Sequence, residues 1–220
     1  MRDVNGAGCS EPGVPVRPNL PLHDLTGGNY FIPDVLPTLF PAEVNSIRLD
    51  AGKARAIAML QLAASMELVA ENSGYHPSVR VVVTNETGHK LPSGYPEGRR
   101  IWLNVKAYDA NDVLVYESGH YDASTGVLAH DEDAKIYEIK PGISTGLSPV
   151  VGVPAGPSFH FVLNDSIYSD NRIPPRGFTN AAFTTVQSPP VAYTYPDAQY
   201  WDETTYVLPT NAVFVDVTLY

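Results

Sequence analysis

The sequence predicts a mainly β protein: an antiparallel β-sandwich over residues 75–220, preceded by an extended Pro-rich arm over 1–42 and one long α-helix within 43–74. Three observations predict it. Pro12, Pro15, Pro18, Pro21, Pro33, Pro37 and Pro41 interrupt the first segment and forbid long regular elements there. An alanine-rich run with one apolar face follows. Beyond Ser78, short β-branched runs alternate with turn signals, the pattern of an antiparallel sandwich.

The arm comes first in the chain. An irregular segment of this length stays ordered only when it lies along another surface. The helix is expected over 43–70, with Asn45 or Ser46 as its cap and Asp50 in an early turn. Ala51, Ala54, Ala56, Ala58, Ala63 and Ala64 favour it, and Ile57, Leu60, Ala64 and Leu68 share one face. Asn72-Ser73-Gly74 is a stop signal. Strand alternation then appears in Val79, Val81 and Val83, and again over Ile101–Ala107. Asp109-Ala110-Asn111-Asp112 reads as a turn, with Val113–Tyr116 as its hairpin partner. Lys135–Ile139, Ser158–Leu163 and Val213–Leu219 read as further strands. The composition shift near residue 75 marks the expected domain boundary.

The 220 residues suffice for a buried core. Lys and Arg total 14 against 24 Asp and Glu, a net charge of −10. A diffuse acidic surface opposes nucleic acid and anionic lipid, and no apolar run reaches membrane-spanning length. Cys9 is the sole cysteine, so an internal disulfide is excluded. Met1–Gly6 lacks the apolar stretch of a signal peptide. Taken literally this implies a cytoplasmic protein; the alternative is that Met1 is not the biological start.

The loop Asn85–Arg100, with the string Thr-Gly-His-Lys-Leu-Pro-Ser-Gly-Tyr-Pro, is the most distinctive segment. Gly88, Gly94 and Gly98 permit unusual backbone angles, while Pro92 and Pro96 stiffen it. Such a loop holds His89 either as a ligand-binding imidazole or as a hydrogen-bonded structural one. His76, His120, His130 and His160 read as structural, His160 within the apolar run Phe159-His160-Phe161. Asn164, Asp165, Asp170 and Asn171 crowd a turn and supply hard oxygen donors suited to Ca²⁺, against a plain loop reading. His130-Asp131-Glu132-Asp133 reads as a solvated acidic loop. No Gly-x-Ser-x-Gly elbow appears, Cys9 has no activating partner, and no catalytic motif is complete.

Four strings resemble the C-terminal, non-haem regions of multihaem c-type cytochromes. They are the loop above with Arg-Arg-Ile-Trp-Leu after it, the segment Asn19–Asn29 with Leu-His-Asp-Leu-Thr-Gly-Gly-Asn, the segment Asp170–Phe178, and Tyr195–Pro209 with Gln-Tyr-Trp-Asp. They occur in the family's order and span most of the chain. The resemblance implies an electron-transfer scaffold working in the periplasm or at the cell surface. Its partner would be a haem-bearing segment or a cytochrome subunit, and assembly as a homo-oligomer or filament is a further expectation. Haem c would be attached elsewhere, because Cys-x-x-Cys-His is missing here. His23 or His89 would then be the distal ligand, and Arg99, Arg100, Arg172 and Arg176 could face haem propionates. Two rival classes remain. One is a secreted β-sandwich that binds carbohydrate or a partner protein through Tyr193, Tyr195, Tyr200 and Trp201. The other is a subunit of an enzyme whose haems reduce a small nitrogen or sulfur compound.

Overall fold

The chain is mainly β, and every strand pairing among the described residues is antiparallel. The computed structural model describes residues 3–21, 26–73, 75–94 and 98–220. The chain divides into two compact units, Met1–Leu62 and Ala63–Tyr220. The division falls earlier than the composition shift near residue 75.

In the first unit, β1 (Asp3–Ala7) pairs with β2 (Val16–Pro21) as a two-stranded hairpin. A short helix α1 (Ile32–Leu39) and a longer helix α2 (Ser46–Gln61) follow. The prolines exclude long elements, as expected, but short ones form. Pro33 sits in the first turn of α1, where its missing N–H is no loss. Asn45 caps α2, its side-chain oxygen accepting from the Arg48 N–H at 3.0 Å. The helix ends at Gln61, well before the expected 70. Residues 64–73 instead form a strand, because they align over ten pairs with the strand that follows. A full ladder of interstrand bonds outweighs the modest helix preference of alanine.

The second unit opens with that strand, β3 (Ala64–Ser73), then β4 (His76–Asn85), β5 (Arg100–Tyr108) and β6 (Leu114–Ser118). The small pair β7 (Tyr121–Asp122) and β8 (Val127–Leu128) precedes β9 (Ile136–Ile143). Next come α3 (Ser148–Val151), β10 (Gly156–Pro157), β11 (Ser166–Asp170) and α4 (Asn180–Thr185), and the chain ends with β12 (Trp201–Val207) and β13 (Phe214–Leu219). One sheet runs β12-β4-β3. The other runs β10-β9-β5-β13, with β11 added to β9 and β6 to β5. The expected hairpin is present: Asp109 Oδ1 accepts from the N–H groups of Asn111 and Val113 at the β5–β6 turn.

The core lies between the two sheets. Val79, Val81 and Val83 of β4 meet Leu103, Val105 and Ala107 of β5, with Tyr137 and Tyr206. Every second residue of β4 and β5 points inward, as a pleated strand requires. Burying each Val or Leu side chain contributes about 1.5–3 kcal/mol. Two glycines are demanded by close backbone approach. A Cβ at Gly142 would lie 2.1 Å from the Gly156 carbonyl oxygen, and one at Gly119 (φ +67) 2.2 Å from that of Leu103.

The strand expected over Ser158–Leu163 is a turn. The Leu163 and Asn164 N–H groups both donate to the His160 carbonyl. Phe159, Phe161 and Val162 are exposed there, at 74%, 50% and 96%. His160 is exposed as well, so it is no core histidine. Alternation of three apolar residues predicted a strand, but the backbone here closes a turn on the His160 carbonyl.

Candidate functional site

Asn85, the last residue of β4, is fully buried and organises the loop that follows. Its Nδ2 donates to the carbonyls of His89 (2.6 Å), Ile173 (2.9 Å) and Pro174 (3.0 Å). Its Oδ1 accepts from both the N–H and the hydroxyl of Thr87 at 2.8 Å. One side chain thus ties 85–89 to 173–174. Reciprocal backbone bonds between Leu91 and Ile173 extend the tie.

The next residue inward is Lys90, whose side chain is 4% exposed. Its Nζ donates to Asp170 Oδ2 at 2.7 Å and to the Pro189 carbonyl at 3.2 Å. Asp170, which closes β11, also accepts from Arg172 Nε at 2.9 Å and Nη2 at 2.8 Å. Two cations therefore share one buried carboxylate. Burial alone would raise the Asp170 pKa, but the bonds from Arg172 and Lys90 outweigh it and hold the carboxyl below its ordinary value. Lys90 moves down: burial disfavours its charge more than a half-shared carboxylate restores it, and Arg172 adds repulsion.

The string Tyr195–Pro209 joins the same network. The Tyr195 hydroxyl donates to the Asn171 carbonyl, and the Ala198 N–H donates to that of Phe178. Arg176 lies over the Tyr200 ring at 4.3 Å and donates to Glu86. Three of the four strings singled out in the sequence are thus one connected structure. The fourth, Asn19–Asn29, lies in the other unit, and its His23 falls outside the described residues.

An open cleft of about 470 Å³ sits on this network, lined by His89, Lys90, Ser93, Arg172, Phe183 and Val186 among others. His89 is exposed. Its carbonyl is clamped by Asn85 and Thr87, while its ring makes no hydrogen bond among the described residues. The His89 backbone is therefore clamped while its ring is exposed.

Of the four residues expected to hold Ca²⁺, both aspartates and Asn171 already have hydrogen-bond or ionic partners. Asp170 faces two cations, which repel a third. Asp165 accepts from the Ser144 N–H and hydroxyl at 2.7 and 2.6 Å. Asn171 accepts from the Glu138 N–H and donates to the Ile136 carbonyl, and Asn164 donates to the Ser158 carbonyl. Among the described residues, no group of three or more His, Cys, Asp or Glu is placed to hold a metal ion. Hydrogen bonds at the strand ends have claimed the Asp165, Asp170 and Asn171 oxygens that sequence crowding offered to calcium, whereas Asn164 Oδ1 is buried without a hydrogen-bond partner among the described residues.

The aromatic residues expected of a binding module are also engaged. Tyr195 is buried. Tyr200 and Trp201 meet edge to face at 88°, which makes no flat platform. Tyr193 joins a second buried cluster that sequence reasoning missed. There Asp202 accepts from Lys135 (2.7 Å), Tyr137 (3.0 Å) and Tyr193 (2.8 Å). The sequence did carry one signal for the first cluster: Asp170 and Arg172 are two apart at a strand end, where side chains fall on one side.

A mainly β, antiparallel fold with a hydrogen-bonded loop, 85–94, beside a cleft lined by Lys90 and Arg172 is the class that these observations define. No family model matches the chain, and no curated protein matches it. A solved structure, a penta-heme cytochrome c552 from Thermochromatium tepidum, is similar at 20% identity with a TM-score of 0.48, over 74% of this chain and 32% of that one. The chain thus spans about a third of that protein's length. Among the described residues, no helix is long and apolar enough to cross a membrane.

Proposed function

We propose that this chain is the mainly β, non-haem region of a larger multihaem c-type cytochrome, where it shields a haem edge and offers His89 as an axial ligand. The role is that of an electron-transfer scaffold in the periplasm or at the cell surface. The reading rests on the ordered strings in the sequence and on one observation: an exposed imidazole whose backbone is clamped from below by a buried asparagine. Ligand identity and burial both tune a haem's potential, and a pre-set imidazole binds with less loss of entropy.

The residues fit the non-covalent half of a haem site: an exposed imidazole, a guanidinium lining the same cleft, and apolar surface from Phe183 and Val186. They do not fit covalent attachment, which needs two thiols before a histidine, whereas Cys9 is alone and exposed. The haem is therefore assigned to another segment or a partner chain. When bound there it supplies one-electron chemistry; this chain's residues orient it and exclude water. His23 is the second imidazole of the proposal. The exposed Phe159, Phe161 and Val162 give the chain an apolar surface for its partner, and assembly into an oligomer or filament belongs to the same reading.

The test is an absorption spectrum of the protein purified in its native context. A Soret band with low-spin features is expected, and replacing His89 by Ala should convert part of it to high spin. Colourless native material, or spectra unmoved by both His23→Ala and His89→Ala, would overturn the proposal.

A further inference from the structure

We infer that the cleft is an anion site, in which the free end of the Arg172 guanidinium takes a carboxylate whose apolar body lies against Phe183, Pro175 and Val186. The inference rests on the cleft's own charge and geometry and does not require iron.

A guanidinium carries five N–H donors in a fixed fork. Arg172 engages Asp170 through Nε and Nη2, at 2.9 and 2.8 Å. Three donors remain: the second on Nη2 and both on Nη1. No described group accepts from Nη1, and its side chain is 10% exposed. Nor is any Arg172 nitrogen among the fully buried atoms left without a partner. Nη1 therefore keeps solvent access in a residue that lines the cleft, and with the second Nη2 donor it forms the fork taken here to face the ligand. That fork matches the two oxygens of a carboxylate in a bidentate pair. Asp170 holds the guanidinium plane in place from the other side, so little ordering is needed on binding.

The charge balance points the same way. The protein as a whole is at −10, yet no Asp or Glu among the described residues lines this cleft. Its floor holds Lys90 and Arg172 against Asp170 alone, an excess of one positive charge. Ser93 and Ser188 add hydroxyls on the walls. Phe183 on α4, Pro175 and Val186 form an apolar side, and Val186 is 68% exposed. A bare inorganic anion would leave that side wet. A carboxylate carried on an apolar or aromatic body satisfies both sides, and it can come from a free organic acid or from a porphyrin propionate.

The test titrates the ¹⁵N-labelled full chain with 3-phenylpropionate and with its neutral amide, followed by NMR. A parallel arm uses metal-free mesoporphyrin IX and its dimethyl ester. Shifts clustered on 88–94, 172 and 183–188, with the acid bound about tenfold or more tightly than its neutral form, are expected in at least one arm. Acid selectivity in the first arm alone names a free acid as the source, and in the second alone a porphyrin. Val186→Glu, an exposed change that leaves the buried ions intact, should weaken binding by a similar factor, and so should Arg172→Gln. Equal binding of acid and neutral form in both arms, no binding in either, or indifference to Val186→Glu would overturn the inference.

Discussion

Lys90 and Lys135 are both lysines drawn into the sandwich and anchored on one aspartate, yet their balances are opposite. Lys135 meets Asp202 at 2.7 Å in a cluster of one cation, one carboxylate and the hydroxyls of Tyr137 and Tyr193. Burial pushes its pKa down, but the Asp202 charge and the hydrogen bonds outweigh that and leave it raised. Lys90 must share Asp170 with Arg172, and its pKa is lowered. The Asp202 cluster matches one cation with one carboxylate and is neutral. The Asp170 cluster carries an uncompensated charge, which a protein retains at a cost and which opens onto the cleft. Excess buried charge is the mark that separates the candidate site from a structural ion pair.

The sharpest way to break this comparison is Asp170→Asn. It leaves Lys90 and Arg172 buried without a counter-charge and should cost about 3–5 kcal/mol in urea unfolding. A smaller loss than that of Asp202→Asn would remove the distinction. Acid does the same by titration. The folded pKa of Asp170 lies below 3.8, so its contribution is fully present above that pH and is lost as pH falls through the folded value. Thermal melts of the wild type should therefore decline below about pH 3.8, and Asp170→Asn should flatten that part of the profile.

Asn85→Ala comes next. It removes the clamp on three carbonyls and should cost about 2–3 kcal/mol, with faster hydrogen exchange over 86–91. Exchange unchanged in that loop would mean that the Leu91–Ile173 bridge alone holds it. The smallest effects sharpen the contrast most. Lys135→Met should cost about 1–3 kcal/mol, because it strands Asp202. Lys90→Met should fall within about 1 kcal/mol of wild type, since Arg172 still neutralises Asp170. Equal losses at the two lysines would show that their environments do not differ as described.

The loop 85–94 was visible in the sequence because Gly and Pro at fixed places bias the backbone wherever they occur. Its anchor was not. Asn85 resembles any turn asparagine until the carbonyls of Ile173 and Pro174 are brought to it, 88 and 89 residues along the chain. Asp170 shows the same gap in another form. Its neighbours in sequence suggested calcium, whereas Lys90, 80 residues away, decided its partner. The residues 64–73 show it in secondary structure, where alanine and leucine spacing favoured helix until a ten-pair register with β4 made them a strand.

By itself, then, the sequence determined what depends on neighbours along the chain. That covers the antiparallel mainly β class, the capped start of α2 at Asn45, the β5–β6 turn and the order of the distinctive strings. Tertiary structure alone decided where β3 begins, which oxygens Asp170 and Asp165 keep for themselves, and that Lys90 and Arg172 converge on Asp170 at a cleft that His89 also lines. The physical reason is range. Backbone preferences act within a few residues, while a buried charge is set by whatever side chains the fold carries to within about 4 Å of it.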